Sequence, residues 1–163
     1  MNSLGRLQPL KIGVIADTHG WLDPQAPALF AGVDYILHGG DIGSSDVLAG
    51  LEVVAPVTAV SGNTDCDPAW RDTEILELAG RTFLLQHIVD PHRPDPALRE
   101  RLNRVRPDVV IFGHTHQPLA ETIGGILFLN PGSAKSPRGG TPRSIAILHC
   151  SPDGLRHRFV ELR

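Results

Sequence analysis

The sequence is poor in the residues that would mark a disulfide scaffold, a membrane segment or a nucleic-acid binder. Only two of its 163 residues are cysteine, Cys66 and Cys150. They lie far apart and form no C-x-x-C pair, which excludes a disulfide framework and a zinc-thiolate cluster and fits a reducing compartment. Lysine occurs only at Lys11 and Lys135, and the net charge is −3. The chain as a whole therefore offers no basic footprint for a nucleic-acid polymer. No apolar run nears the ~20 residues needed to span a bilayer. Residues 1–10 are polar and the apolar run 12–16 is short for a signal peptide, so the expected location is the cytoplasm, with no membrane partner. Neither a G-x-S-x-G elbow nor a G-x-x-x-x-G-K-[ST] loop occurs, so neither a serine nucleophile nor that phosphate loop is expected.

Histidine is what the sequence does have, eight in all. Imidazole is the commonest protein metal ligand, but a count carries little without position. The length fits one compact domain, residues 1–163 with a core at about 10–162. The 41% hydrophobic and 20% charged content is that of an ordinary globular protein.

Apolar runs of strand length at 10–16, 35–38, 57–60 and 109–112 are separated by Gly/Pro punctuation and short helical patterns. Helices are expected at 24–30, 44–51 and 96–104, the last opening on Pro96 with Leu98 and Leu102 four residues apart. Hairpins are expected at 74–86, 119–129 and 144–161. Alternating strands and helices followed by hairpins predict an α/β sandwich of mixed sheets with helices outside.

The polar residues fall in a pattern. Six predicted strands end in Asp17-Thr18-His19, Gly40-Asp41, Gly62-Asn63, Gln86-His87, Gly113-His114-Thr115-His116 and Asn130-Pro131-Gly132-Ser133. Ligands of open α/β sheets collect beyond the carboxyl ends of strands, so these loops can converge. Carboxylate, imidazole and amide without thiolate suit hard or borderline divalent ions. In Asp17-x-His19 and His114-x-His116, residues two apart share a side if the strand conformation continues.

This ordered set resembles the calcineurin-like metallophosphoesterase superfamily, and within it the small bacterial and archaeal phosphodiesterases that share a fold with Vps29. The resemblance covers about residues 11–143. It implies a four-layer α/β/β/α sandwich of two mixed sheets flanked by helices. It also implies two divalent ions, Mn²⁺ first, with Ni²⁺, Fe²⁺, Zn²⁺ or Mg²⁺ as alternatives. Asp17, His19 and His116 would hold one ion and Asn63, His87 and His114 the other, with Asp41 between them. Asp41, Asn63 and His114 would be catalytic, and the segment 130–133 would shape the site wall. The implied reaction is hydrolysis of small phosphodiesters by metal-activated hydroxide.

The chain departs from the family in two places. Many members carry His after the Asn, near the leaving group, where this chain has Thr64; that counts against phosphomonoesterase or protein phosphatase activity. The strand-end His87 is followed by Ile88-Val89 rather than glycine. A non-catalytic scaffold like Vps29 is the alternative from another class, and a homo-oligomer is left open. Asp65, then Asp67 and Asp46, are expected to orient the imidazoles. His38 is expected to be a satisfied core residue, and His92, His149 and His157 solvated or structural. Trp21 and Trp70 are expected in the core, and the arginines 99, 101, 104 and 106 on a solvated face.

Overall fold

The computed structural model describes residues 8–163. In chain order the elements are β1 (Leu10–Ile15), α1 (Gln25–Leu29), β2 (Tyr35–His38), α2 (Ser45–Glu52), β3 (Val57–Ala59), β4 (Thr73–Leu78) and β5 (Arg81–Gln86). They continue as α3 (Pro96–Val105), β6 (Val109–Ile111), β7 (Pro118–Ile123), β8 (Ile126–Pro131), β9 (Ser144–Ser151) and β10 (Gly154–Glu161). The strands and helices expected from the sequence are all present, displaced by a residue or two at their ends.

The strands form two five-stranded sheets, one ordered β10-β9-β1-β2-β3 and the other β4-β5-β6-β8-β7. In the first, β1 pairs parallel with β2, and β2 with β3. In the second, β5 pairs parallel with β6, and β6 with β8. The remaining pairings are antiparallel. The six strands tied by parallel pairing are the six that end in the polar motifs. Parallel neighbours bring their carboxyl ends to one edge of a sheet, and this is what gathers the motifs.

Alternate side chains set the layers. Ile12, Val14 and Leu37 of the first sheet meet Phe83, Leu85, Val109, Ile111 and Leu129 of the second in a core between the sheets. The other face of the first sheet, with Ile15, Ile36 and Ile147, buries Ala26 and Phe30 of the α1 region and Val47 and Leu51 of α2. The other face of the second, with Leu84, Val110 and Phe128, packs against Leu98 and Leu102 of α3. This is the expected α/β/β/α order.

Local signals end the helices. The Ser44 side chain accepts from Asp46 N to open α2. Asp95 accepts from Leu98 N ahead of Pro96 to open α3, which closes on Arg106 in the left-handed region. Such caps satisfy amide and carbonyl groups that the helix itself leaves unpaired. No helix among the described residues is long and apolar enough to cross a membrane.

Candidate metal centre

At the edge where the parallel strands end, the backbone leaves its ordinary conformations. Among the described residues, seven other than glycine have positive φ, and five of them are Asp17 (54°), His19 (45°), Asp41 (53°), His114 (70°) and His116 (58°). Each costs on the order of 1 kcal/mol for an L-residue outside glycine, so the surroundings must impose it. Loop-to-loop hydrogen bonds do so. Asp17 N donates to Gly40 O at 3.0 Å, His19 N to Asp41 O at 2.9 Å, Gly20 N to Ile42 O at 2.7 Å and Gly113 N to His87 O at 3.0 Å. The strand conformation therefore stops before Asp17 and before His114. The condition under which D-x-H and H-x-H would share a side, a continued strand, is not met: left-handed turns aim them.

Asp17, His19, Asp41 and His116 place ligand atoms all within 4.8 Å of one another. His19 Nε2 faces His116 Nε2 at 3.3 Å, and His116 Nε2 lies 3.3 Å from Asp17 Oδ1. Beside them, His87 and His114 pack edge to face with centroids 5.4 Å apart, and His114 Nδ1 meets Asn63 Oδ1 at 3.0 Å. Asp41 stands between the groups, with Oδ2 3.8 Å from His19 Nε2 and 3.3 Å from His87 Nε2. All seven predicted residues thus converge. Asp17, Asp41, His87 and His116 form a buried floor, while His19, Asn63 and His114 are partly or fully open to solvent.

Two of the four imidazoles are oriented by backbone carbonyls. His87 Nδ1 donates to Gly39 O at 2.7 Å and His116 Nδ1 to Ser136 O at 2.6 Å, which leaves each Nε2 with its lone pair directed inward. The expected carboxylates do other work. Asp65 accepts from Ile42 N (3.0 Å), Gly43 N (2.8 Å) and Gly62 N (2.8 Å), tying the loops after β2 and β3 together. All three of these donors are backbone amides, and no imidazole is among them. Asp67 caps its own turn through Ala69 N, and Asp46 sits in the first turn of α2.

The Asn130–Ser133 segment braces the cluster. Asn130 Nδ2 donates to Gly113 O at 2.9 Å and to Thr115 Oγ1 at 3.0 Å. Ser133 Oγ donates to Asp17 O at 3.1 Å and accepts from Lys135 N and Ser136 N. Lys135 Nζ donates to His19 O at 3.0 Å. Sequence reasoning missed Lys135 and the Ser136 carbonyl, because backbone contacts leave no residue-type signal.

Burial, with the Asp41 charge beside it, pushes the Asp17 carboxyl up to about 8. Burial also raises Asp41, but the Thr64 amide and hydroxyl and the His87 ring outweigh it and hold that carboxyl below its ordinary range. Burial lowers His87 and His116, despite the Gly39 and Ser136 carbonyls that favour their protonated forms. Neutral imidazoles are the form that ligates a cation, whereas the Asp17 carboxyl holds its proton near neutral pH and would release it when a cation binds.

Three observations fit the cluster to divalent cations. His87 Nε2 is buried with no hydrogen-bond partner. The first group's donor atoms all lie within 4.8 Å of one another, a grouping that could hold a metal ion. The donors are oxygen and imidazole nitrogen only, which suits hard or borderline ions.

His38 is the satisfied core residue expected. It is fully buried, its Nδ1 accepts from Gly40 N, and its Nε2 donates to Thr18 Oγ1 at 2.9 Å. Burial lowers it to about 3, so it stays neutral. His149 and His157 are exposed, and His92 is an exposed loop residue paired with Glu121 at 2.9 Å. Trp70 packs into the core under α2. Trp21 does not: it is exposed on the loop after His19, with Arg143 stacked 5.3 Å from its ring. Arg143 also pairs with Asp23, which holds the indole at the surface. Arg99 and Arg104 are on the solvated face, as expected. Arg101 is not: it lines a cavity with Asn63 and His87, because position 101 faces β5 and the Gln86 side chain.

A sandwich with a carboxylate–imidazole cluster at the parallel strand ends is the architecture of metal-dependent phosphoesterases. Residues 10–153 match the calcineurin-like phosphoesterase superfamily domain, and the chain belongs to that superfamily. It is similar to a probable metallophosphoesterase of Methanothermobacter thermautotrophicus, 36% identical over 161 residues that cover 91% of each chain. Among solved structures it is similar to a novel archaeal phosphodiesterase, with TM-score 0.77, 27% identity, and 94% of this chain and 100% of that one covered. It also shares its fold with Chaetomium thermophilum Vps29, with TM-score 0.79, 18% identity, and 94% and 89% covered.

Proposed function

We propose that this chain is a single-domain phosphodiesterase, with its core at residues 10–162, which hydrolyses small phosphodiesters with two divalent metal ions. Asp17, His19 and His116 would hold one ion, Asn63, His87 and His114 the second, and Asp41 both. Mn²⁺ is the first choice of metal. The observation that carries this is the position of Asp41 Oδ2, within 4 Å of one imidazole from each group. A carboxylate shared between two clusters is the group needed to keep two cations close.

When bound, such ions lower the pKa of a water to near neutrality and offset charge growing on the phosphoryl oxygens. The chain's residues supply the rest. The buried floor of Asp17, Asp41, His87 and His116 fixes donor positions before substrate arrives. The Gly39 and Ser136 carbonyls keep the Nδ1 protons of His87 and His116 away from the site. Asn63 and His114, at the open mouth, are the groups a phosphoryl oxygen would approach. Asn63 contributes no negative charge and so does not repel a phosphate anion. Thr64 offers no imidazole to protonate a leaving oxygen, which favours diesters with stable leaving groups over monoesters.

Turnover of bis(4-nitrophenyl) phosphate with Mn²⁺ tests the assignment. Asp41→Ala should lose at least about 10²-fold in kcat/KM, since it removes the shared ligand; equal rates would refute the proposal. Vps29's fold keeps the scaffold reading alive as a rival. It would be preferred if the purified protein carried no metal and Mn²⁺ left its Tm unchanged. Monoester turnover below diester turnover, raised by Thr64→His, would support the argument from the leaving group.

A further inference from the structure

We infer that Arg101 recognises a second anionic group on the substrate, so that the preferred diesters carry a phosphate or carboxylate on their organic part besides the scissile phosphate. This rests on the phosphodiesterase reading above. A cavity of about 310 Å³ adjoins the cluster and takes Asn63 and His87 into its wall. That is the low end of the range for small-molecule sites, about 300–1,000 Å³. The wall continues through Gln86, Ile88 and Arg101.

Among the described residues, Arg101 is the only arginine or lysine lining this cavity. Arg101 is partly buried, and its guanidinium donates from Nη1 to Gln86 Oε1. Gln86 Nε2 in turn donates to Ile88 O at 3.0 Å. A neutral amide thus fixes the guanidinium without cancelling its charge. Ion pairs engage Arg71, Arg81, Arg93 and Arg143 among the described residues, but not Arg101. Arg99 and Arg104 of the same helix are exposed, so Arg101 alone of the three turns into the cleft.

A guanidinium has five N–H donors in a planar fork, which matches carboxylate and phosphate oxygens. The acidic residue of the same wall, Asp72, accepts the Ser61 hydroxyl at 2.7 Å and does not pair with Arg101. It would repel an anion placed at its own end, which directs the second anion to Arg101. The exposed Ile88 side chain gives the organic part an apolar surface in the same wall.

Two substrate pairs test this with Mn²⁺-loaded protein. One is thymidine 5′-(4-nitrophenyl phosphate) with and without a 3′-phosphate. The other is 4-nitrophenyl phenyl phosphate with and without a 4-carboxylate on the phenyl ring. Wild type should prefer the doubly anionic member of at least one pair by about tenfold in KM, the value of one charge-assisted hydrogen bond. The pair that shows the preference identifies the anion. Arg101→Gln should bring the ratio near one and Arg101→Lys should retain part of it. Arg104→Gln, on the exposed face, should leave the ratio as in wild type. No preference in wild type, or an undiminished one in Arg101→Gln, overturns the inference. If no diester is turned over, the phosphodiesterase reading fails on its own. Calorimetric binding of 4-carboxyphenyl phosphate against phenyl phosphate then reads the same ratio in wild type and Arg101→Gln.

Discussion

Replacing Gly62 with alanine would place a Cβ 2.1 Å from Asp41 Oδ1 and 2.3 Å from Asp41 N. Ordinary heavy-atom contact lies near about 3.5 Å, so the overlap exceeds 1 Å. Gly62 does not occupy the left-handed region, and its backbone would accept alanine; the contact is what excludes it. Neither target can yield cheaply. Asp41 is 2% exposed, and its amide belongs to the loop stitched to Asp17 and His19. Overpacking of this kind costs about 1–3 kcal/mol, or a fall in Tm on the order of 3–10 °C. The larger effect falls on the site, because moving Asp41 by about 1 Å should lower turnover about 10²-fold. Thermal unfolding with and without Mn²⁺, Mn²⁺ titration and diester turnover read the three effects together. Wild-type metal affinity and turnover in Gly62→Ala would refute the link between this close approach and Asp41, even if Tm fell.

Asp17→Asn should flatten the pH dependence of the metal-stripped protein. The folded carboxyl titrates near 8 and the unfolded one near 3.8, so the fold binds the extra proton and wild-type stability falls as pH rises between those values. The loss by pH 7 is on the order of 4 kcal/mol. Equal slopes for the two proteins between pH 5 and 8 would contradict the argument, and Mn²⁺ should rescue only wild type. His87→Ala should reduce bound metal from about two ions per chain toward one, read by elemental analysis; undiminished content would remove His87 from the ligand set. Ser133→Ala leaves Lys135 N and Ser136 N without their acceptor and Asp17 O without its donor. It should cost about 1–3 kcal/mol in denaturant unfolding and weaken Mn²⁺ binding; a wild-type midpoint and affinity would discount the bracing role.

The pattern of apolar runs and Gly/Pro breaks determined the strands and helices, because side-chain period and turn chemistry are local properties. The seven residues that converge were also named from the sequence, through the resemblance of D-x-H, G-D, G-N, a strand-end His and G-H-x-H, in that order, to a known family. Other features had no local signature. Asp65 looked like an imidazole partner because it adjoins Asn63, yet its neighbours in space are three backbone amides. Arg101 read as one more arginine on a solvated helix until β5 was laid beside it. Mixed sheets were expected, but which strands run parallel was hidden, since β5 and β8 each also belong to a hairpin. Parallel order among β1, β2, β3, β5, β6 and β8 puts six strand ends at one edge, and left-handed turns there aim the side chains inward. Both depend on contacts between residues far apart in the chain, so only the tertiary structure could decide them.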